Sequence, residues 1–356
     1  MTALQADSIA DVSHVKTRVD AILEAFLERQ DQSACGSEIS VFTKFLRKML
    51  AAGGKRIRPR LCIVGWSCVS DEVPPPLVYR IAASLELFHA FALIHDDIMD
   101  KSATRRGLPT AHHALAAHLR HFPSADQLGN NAAILLGDLA LGWSYDLIQP
   151  EPHEERQLPV PYRVLSMMRT ETAVGQYLDL LASAPASPCL ATAWKVVQYK
   201  TAKYTFERPI QIGALLAGAT DDQVRALSAF AVPLGEAFQL RDDLLGIFGD
   251  PKLTGKSVLD DLREGKHTVL MCAAFERATA SQVRRLRRHL GNARLTSDGA
   301  QECRDILLAT GADKVVEDLI SSRFRASLEF LDAADIRPTA KAALHQLASN
   351  TVARSY

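Results

Sequence analysis

Three carboxylates and two guanidiniums follow an apolar segment in the stretch LIHDDIMDKSATRRG, residues 93–107. Asp96 and Asp100 are four residues apart, so on a helix they lie on one face, with Asp97 beside them. Carboxylates at this spacing repel one another unless a cation lies between them. Mg²⁺ prefers oxygen ligands from one or two carboxylates, completed by water and phosphate. Because the preceding residues indicate a core helix that ends in a cavity, the stretch predicts a Mg²⁺ site there.

A second aspartate pair ends another apolar segment, GEAFQLRDDLLGIFGD at residues 235–250. Asp242 and Asp243 form this pair, and Gln239 precedes Asp242 by one helical turn. One such pair alone is typical of an ordinary solvated helix end, but two of them on apolar helices favour a shared metal site. Facing each other across a bundle, they could hold several Mg²⁺ ions around one diphosphate, since inward-projecting carboxylates build metal sites in helix bundles.

Basic residues accompany both aspartate pairs. The stretch AAGGKRIRPRL, residues 51–61, carries Lys55 and Arg58 after two glycines that let the backbone approach an anion closely. It lacks the spacing of a P-loop, which argues against a nucleotide site. His89 lies two turns before Asp96 on nearly the same face. Further basic candidates are Arg105, Arg106, Lys200, Lys256 and Lys266. The set predicts a cavity for ligands that have charged heads and a hydrocarbon tail.

Helical periodicity dominates the elements that must position these residues. Apolar residues recur at helical spacing, as at Val15, Val19 and Leu23, and alternating β-branched ladders are missing. The breaks are short, rich in Pro or Gly, and unlike flexible linkers. The sequence therefore predicts an all-α fold, a large single-domain helix bundle around a deep central cavity that spans residues 1–356, with residues 1–12 as a flexible tail.

Composition excludes several classes of partner and location. The 356 residues include 41 basic and 41 acidic side chains, so no global field favours nucleic acid or an anionic membrane. Six scattered cysteines without a CxxC pair read as reduced thiols. No apolar run approaches the length of a transmembrane helix, and the first residues lack the pattern of a signal peptide. We expect a soluble cytoplasmic protein.

The motifs GGKRIRP, LELFHAF, DDIMDKSATRRG, VGQYLDL, YKTAKY, FQLRDD and GK occur in this order. Together they resemble the trans-type isoprenyl diphosphate synthases. The residues within the motifs most resemble those of actinobacterial geranylgeranyl and polyprenyl diphosphate synthases. The resemblance runs roughly from GGKRIRP through GKHTVL. It implies an isoprenoid synthase type of helix bundle, usually a homodimer. It also implies condensation of isopentenyl diphosphate with an allylic diphosphate, with three Mg²⁺ ions per active site.

The resemblance assigns a role to individual residues. Mg²⁺ would be bound by Asp96 and Asp100, with Asp97 supporting, and by Asp242, with Asp243 nearby. The residues expected to hold isopentenyl diphosphate are Lys55, Arg58, His89 and Arg106. Those expected to serve the allylic diphosphate are Arg105, Lys200, Thr201, Gln239, Lys256 and Lys266. The expected catalytic residues are Asp96, Asp100, Asp242 and Lys200.

Residues before the first aspartate motif are expected to set product length. Growth proceeds away from the metals, so residues about one turn, roughly 5.4 Å of rise, before Asp96 should form the cavity floor. Ala92 is small, whereas Phe91 and its neighbour Phe88 are bulky. In the resembling family, an aromatic residue only at the fifth position before the motif tends to accompany twenty-carbon products. This implies geranylgeranyl diphosphate as the main product.

One residue departs from the family pattern, and several alternatives stay open. The last aspartate of the second DDxxD motif is replaced by Gly246, which puts the outer shell of one metal in doubt; we expect Gly246→Asp to keep activity. The protein could instead be a farnesyl or longer polyprenyl diphosphate synthase. A class I terpene cyclase would need an NxxxSxxxE-type motif where this chain has DD. A non-catalytic synthase subunit would usually have lost one metal motif.

Overall fold

The computed structural model describes residues 12–33, 36–149, 159–183, 188–249 and 259–352. Within these ranges the helices are α1 (Val12–Asp31), α2 (Gly36–Ala51), α3 (Ile57–Val69), α4 (Pro76–Met99), α5 (Ala111–His118), α6 (Ala125–Asp146), α7 (Tyr162–Ala182), α8 (Leu190–Val196), a π-helix (Val197–Glu207), α9 (Arg208–Leu216), α10 (Asp221–Phe248), α11 (Asp260–Glu264), α12 (Val269–Arg277), α13 (Ala280–His289), α14 (Ser297–Thr310), α15 (Ala312–Ala333) and α16 (Pro338–Val352). Two short strands, β1 (Thr104–Arg105) and β2 (Leu108–Pro109), form an antiparallel hairpin. The prediction of an all-α fold is confirmed.

The helices group into two compact units. The first comprises Met1–Pro161, Pro209–Thr220 and Ile336–Ala340, and the second comprises Tyr162–Arg208, Asp221–Asp335 and Lys341–Tyr356. The chain therefore passes between the units several times. The expectation of one domain over residues 1–356 stays a prediction. The expected tail, apart from Val12, lies outside the described residues.

Helix α4 is the core helix of the first unit. It starts with Pro76, which suits the first helical turn because its missing N–H would have no partner there. Nearly every side chain from Leu77 to Ala90 is buried, as expected for a helix that is apolar on all sides. By length and composition α4 is the one described helix that could cross a membrane, yet 78% of its apolar window is buried inside the protein. Such burial is typical of the core helix of a soluble protein.

Close backbone contact fixes α3 within the same unit. A Cβ atom added to Gly65 would lie 2.3 Å from the carbonyl oxygen of Ile210, and one added to Gly213 would lie 1.8 Å from that of Cys62. Helices α3 and α9 can therefore touch only because both positions lack a side chain. This packing fixes the middle of α3, the helix that follows the basic loop.

The second unit is built around α10. Leu240, Leu244 and Ile247 of α10 pack in a buried cluster with Leu262 of α11 and apolar residues of α12, α14 and α15. Thr268 is the N-cap of α12, and its hydroxyl accepts a hydrogen bond from the Met271 N–H. The cluster anchors both α10, which carries the second aspartate pair, and the short helix α11.

Candidate active site

The first aspartate set lies at the C-terminal end of α4. Asp100 is the C-cap, and its N–H donates to the carbonyl oxygen of Asp96 at 2.8 Å. Asp97 is buried, whereas Asp96 and Asp100 are half-buried. Carboxylates are unfavourable at a helix C-terminus because the helix dipole is negative there, and the last turn of α4 contains no basic residue. These three charges need cations from other elements.

Arg105 of strand β1 is one of these cations. Its Nε donates to both oxygens of Asp97, at 2.8 and 3.0 Å, and its Nη2 donates to Asp97 Oδ1 at 2.6 Å and to Asp96 Oδ2 at 3.4 Å. Burial opposes the charge of the guanidinium, but Asp97, Asp96 and Asp100 outweigh it and raise the pKa of Arg105. The expected roles of Asp97 toward Mg²⁺ and of Arg105 toward a diphosphate stay predictions. In the structure these two groups bind each other.

Arg106 lies at the tip of the hairpin. With φ of 53° at Arg106 and 75° at Gly107, the two-residue loop meets the requirement of a type I′ turn. Arg106 Nη1 donates to the carbonyl oxygen of Gly53, in the loop before α3. A Cβ added to Gly54 would lie 3.3 Å from Arg106 Nη1 and 3.4 Å from Arg56 Nη1. Gly54 thus leaves room for two guanidinium groups beside the backbone, where the sequence analysis expected an anion.

Basic residues of the loop before α3 have different surroundings. Arg56 is buried, has a left-handed φ of 46°, and donates to Asp20 Oδ1 at 2.8 Å and to Glu86 Oε2 at 2.9 Å. These bonds make Arg56 the residue that fixes the loop. Lys55 is exposed, and Arg58 is buried in the first turn of α3. Lys55 and Arg58 remain the candidates for ligand binding, as the sequence predicts.

His89 lies half-buried on α4 among arginine side chains. Burial first, and then the positive charges of Arg58, Arg106, Arg105 and Arg56, lower the pKa of His89 well below its usual value. The imidazole is therefore neutral near pH 7. A group of guanidiniums around a neutral imidazole produces a positive potential that would stabilise an anion. Arg58 and Arg106 are thus close enough to His89 to influence its charge, and the expected role of the three residues toward a diphosphate stays a prediction.

The YKTAKY motif forms part of the π-helix Val197–Glu207, a type of segment that often marks a functional site. On one side it touches α7, where a Cβ added to Gly175 would lie 2.5 Å from the backbone nitrogen of Lys200. Asp179, one turn after Gly175, accepts a hydrogen bond from Lys200 Nζ at 2.6 Å. Glu171, one turn before Gly175, accepts one from Lys203 Nζ at 2.8 Å. Helix α7 therefore fixes both lysines of the motif.

On the other side the π-helix touches α10. A Cβ added to Gly235 would lie 2.6 Å from the Cα of Ala202. One turn later, Gln239 Oε1 accepts a hydrogen bond from Thr201 Oγ1 at 2.5 Å, and its Nε2 donates to Asp243 Oδ1 at 2.7 Å. The predicted residues Thr201, Gln239 and Asp243 thus form one hydrogen-bonded chain.

Asp243 lies in a group of carboxylates. Burial is the largest cause that raises the pKa of Asp243 well above its usual value; the hydrogen bond from Gln239 lowers it, and Asp261, Asp242 and Asp179 raise it further. A cation placed among these groups would relieve their repulsion. Their oxygen donors suit Mg²⁺ in type. Among the described residues no group of three or more His, Cys, Asp or Glu side chains is placed to hold a metal ion, so the expected metal roles of Asp242 and Asp243 stay predictions.

Gly246 of α10 lies against the carboxylate of Asp261. An added Cβ would lie 1.9 Å from Asp261 Oδ2 and 3.1 Å from Asp261 Cγ. Any side chain at position 246 would have to displace this carboxylate. The expectation that Gly246→Asp keeps activity stays a prediction, because the atom in the way is the end of a flexible side chain and not backbone.

Two predicted lysines follow the second aspartate motif. Lys266 is half-buried just after α11, and its Nζ lies 2.7 Å from Glu264 Oε2. Lys256 lies outside the described residues. The structure therefore places Lys266 beside an acidic partner, and the expected roles of both lysines stay predictions.

The residues expected to set product length lie in the middle of α4. Phe88 is buried, and Phe91 and Ala92 are half-buried. The ring of Phe91 packs between Phe88, at a centroid distance of 5.5 Å, and His95, at 4.9 Å. The His95 ring lies where a side chain of Gly137 on α6 would be, since an added Cβ there would meet it at 2.2 Å. Phe91 thus shares the α6-facing side of α4 with His95, and its role in product length stays a prediction.

Comparison with known proteins places this arrangement in a family. The family described as polyprenyl synthetase matches residues 39–307. The chain belongs to the polyprenyl synthetase family. Its members are prenyltransferases, and the isoprenoid synthase fold agrees with the all-α architecture described above.

Individual relatives span a range of product lengths. The chain is 36% identical to the geranylgeranyl pyrophosphate synthase of Corynebacterium glutamicum, solved with isoprenyl diphosphate and magnesium; the TM-score is 0.92 over 97% of this chain and 100% of that one. It is 30% identical to a short chain isoprenyl diphosphate synthase of Methanocaldococcus jannaschii over 83% of this chain and 82% of the relative. It is also 30% identical to an octaprenyl diphosphate synthase of Haemophilus influenzae over 86% and 87%. Overall identity therefore does not separate short from long products.

Three acidic residues of this polyprenyl synthetase family member were not assigned a role from sequence. Glu171 and Asp179 bind lysines of the π-helix, and Asp261 lies against Gly246. A signal for Asp179 exists in hindsight, because the spacing of Gly175 and Asp179 repeats in Gly235 and Gln239. Glu171 and Asp261 have no comparable spacing signal, since their contacts depend on how separate helices pack.

Proposed function

We propose that this prenyltransferase condenses isopentenyl diphosphate with an allylic diphosphate, depends on Mg²⁺, and yields geranylgeranyl diphosphate as its main product. The observation that carries the proposal is the presence of two carboxylate sets, each accompanied by its own basic residues. Asp96 and Asp100 lie near Arg105, and Asp242 and Asp243 belong to the unit that holds the π-helix lysines. The magnesium and isoprenyl diphosphate bound to the Corynebacterium glutamicum relative support the same ligands here.

The residues have separate tasks in this reaction. Asp96, Asp100 and Asp242 would hold Mg²⁺, which when bound stabilises the negative charge of the leaving diphosphate. Lys200, fixed by Asp179, would neutralise further charge on the allylic diphosphate. Arg58, Arg106 and the neutral His89 would bind the diphosphate of isopentenyl diphosphate. The allylic C–O bond breaks, the double bond of isopentenyl diphosphate forms the new C–C bond, and the released diphosphate accepts the proton.

Product identification tests the proposal directly. The protein would be incubated with isopentenyl diphosphate, Mg²⁺ and, in turn, dimethylallyl, geranyl and farnesyl diphosphate, and the chain length of the products would be determined. We expect a twenty-carbon diphosphate from each starter. Products of thirty-five or more carbons would replace the geranylgeranyl assignment with a polyprenyl one. A cyclic hydrocarbon without incorporation of isopentenyl diphosphate would favour a terpene cyclase, and inactivity cured by a second protein would favour a partner subunit.

We also propose a soluble, cytoplasmic homodimer. Apolar side chains of α6 support the dimer, because Leu128 and Leu135 lie two turns apart with exposed fractions of 37% and 56%. Unpaired apolar surface of this kind is typical of an interaction face. Light scattering after size-exclusion chromatography would give twice the 39.0 kDa chain mass if the proposal holds. Leu135→Glu should then shift the protein toward the monomer.

A further inference from the structure

Positive charge is concentrated in residues 277–297, the arginine segment, although the charge of the whole chain is balanced. The arginine segment contains no aspartate, glutamate or lysine, whereas the chain has 41 basic and 41 acidic side chains in total. Its arginines are Arg277, Arg284, Arg285, Arg287, Arg288 and Arg294. A solvated surface usually mixes charges of both signs, and the planar guanidinium of arginine binds a phosphate group with two hydrogen bonds. The composition of the segment therefore favours a partner that carries phosphates.

Helix α13 (Ala280–His289) directs part of this charge outward. Leu286 is fully buried and defines the side of the helix that packs on the protein. Arg284 and Arg288 are each two residues from Leu286, which places them on the opposite side of the helix. Arg287 is within one turn of both, and all three arginines are exposed. In the described part of the chain, none of these three guanidiniums has a hydrogen-bond or ion-pair partner.

Other groups of α13 hold it in place. Thr279 and Gln282 form a capping box at its N-terminus. On its inner side Arg285 Nε donates to Glu302 of α14, and His289 Nε2 lies 2.6 Å from the second oxygen of the same carboxylate. These contacts use none of the three outward arginines. The outward guanidiniums are thus presented together on a fixed helix.

The helix dipole accounts for only part of the arrangement. Basic residues stabilise the last turn of a helix, which here contains Arg287, Arg288 and His289. Arg284 lies before that turn, and the exposed residues Arg277 and Arg294 lie outside the helix altogether. A role in helix stability therefore leaves half of the arginines in the segment unexplained.

We propose that α13 docks the protein reversibly on an anionic lipid surface, with Arg284, Arg287 and Arg288 against the phosphates of the lipid headgroups. The choice of a lipid surface rests on the proposed function, because a twenty-carbon diphosphate has a tail that partitions into a bilayer. The cytoplasmic leaflet also carries the negative surface potential that attracts clustered arginines. Because Leu286 faces the protein core, the contact is electrostatic and does not require insertion of the helix.

A nucleic acid is the competing anionic partner. Proteins that bind single strands usually combine basic residues with aromatic side chains on which the bases stack. The arginine segment contains no Phe, Tyr or Trp. The observations therefore favour the lipid surface, and binding to nucleic acid becomes an outcome of the test.

The test compares two triple variants that lose the same charge. The first removes the outward arginines of α13 and is Arg284→Gln/Arg287→Gln/Arg288→Gln. The matched control removes three exposed arginines elsewhere and is Arg120→Gln/Arg163→Gln/Arg325→Gln. The measurement is the fraction of protein that sediments with vesicles made of equal parts phosphatidylglycerol and phosphatidylcholine. Substrates and Mg²⁺ are left out, and prenyl transfer from soluble substrates is measured separately.

The α13 variant should bind the vesicles about a hundredfold more weakly than the unmodified protein, whereas the control should stay within about threefold of it. Both should keep wild-type prenyl transfer. Binding should be lost in 1 M salt, since the screening length falls from about 10 Å at 0.1 M to about 3 Å. Equal binding by the two variants would overturn the inference, and so would equal binding to pure phosphatidylcholine or tighter binding to duplex DNA.

The two readouts separate this inference from the proposed function. An enzyme that condenses isopentenyl diphosphate but does not bind the anionic vesicles would overturn the inference alone. A protein that binds the vesicles through α13 but makes no prenyl diphosphate would overturn the proposed function alone.

Discussion

At the scale of single residues, the first aspartate set shows why residue type alone does not give a role. Asp96, Asp97 and Asp100 are equivalent in the sequence, but only Asp97 is buried and bound on both oxygens by Arg105. The sequence predicted the group correctly as a charged set at a helix end. It could not show which member would be neutralised, because that depends on where the hairpin places Arg105.

Loss of the Arg105 guanidinium should destabilise the protein. Arg105→Met removes the guanidinium that binds the buried carboxylate of Asp97, and breaking a buried ion pair in this way typically costs about 3 kcal/mol or more. Urea denaturation should show this loss in the free energy of unfolding, whereas Arg287→Met at an exposed position should change it little. Equal stability of the two variants would contradict the pairing.

His112 should make stability depend on pH. Burial, and then the charge of His113, lower the pKa of His112 to about 4, and its Nδ1 has no hydrogen-bond partner in the described part of the chain. The pKa of His112 in the folded state lies below the unfolded value of about 6.5. The contribution of the neutral imidazole to the free energy of unfolding is therefore fully present above pH 6.5 and is lost as the pH drops toward 4.

Between pH 7.5 and pH 5 the free energy of unfolding should fall by about 1 kcal/mol because of His112, once partial screening by water is allowed for. His112→Gln should flatten this part of the profile, whereas His121→Gln, at an exposed position, should not. Unfolding by urea at several pH values measures both. A His112→Gln profile as steep as that of wild type would rule out this origin of the pH dependence.

At the scale of elements, glycines position the π-helix. Gly175 and Gly235 bring α7 and α10 against its backbone, and the residues one turn later, Asp179 and Gln239, bind its side chains. The YKTAKY and VGQYLDL motifs were visible in the sequence, and helices were correctly expected there. The π-helical geometry was not predicted, because hydrophobic periodicity does not distinguish the wider turn of a π-helix from that of an α-helix.

Gly175→Ala should weaken both stability and activity. The new methyl would lie 2.5 Å from the backbone nitrogen of Lys200, and a backbone cannot move aside as a side-chain end can. We expect a loss of about 1–3 kcal/mol in the free energy of unfolding, as for overpacked sites, and a reduced kcat. Gly142→Ala serves as the control, since its Cβ enters open space. Unchanged kcat and stability would show that the π-helix does not need this contact.

Helix α4 should also set product length by its residues before Asp96. Ala92, half-buried, lies four residues before Asp96 and Phe91 five before it. Ala92→Phe should therefore shorten the product to fifteen carbons, and Phe91→Ala should lengthen it. Chain-length analysis of the products from farnesyl and geranyl diphosphate measures both effects. If neither variant alters the distribution, Phe91 serves only to pack against Phe88 and His95.

At the scale of the whole molecule, the sequence was sufficient for the fold class and the family but not for the division of the chain. Helical spacing and ordered motifs predicted an all-α prenyltransferase, and both the helices and the family match agree. The grouping into two units depends on long-range contacts, such as that of α9 with α3 across Gly65 and Ile210. Nothing local in the sequence of α9 indicates where it packs. For the same reason the sequence analysis did not single out Asp261, which lies against Gly246.

The central claim is that the two aspartate sets are both needed for transfer of a prenyl group. It is tested most directly by the rate at which labelled isopentenyl diphosphate enters product at limiting Mg²⁺. Asp96→Ala and Asp242→Ala should each lower this rate by about a thousandfold or more, with circular dichroism and thermal midpoint close to those of the unmodified protein. A rate near wild type in either well-folded variant would contradict the account.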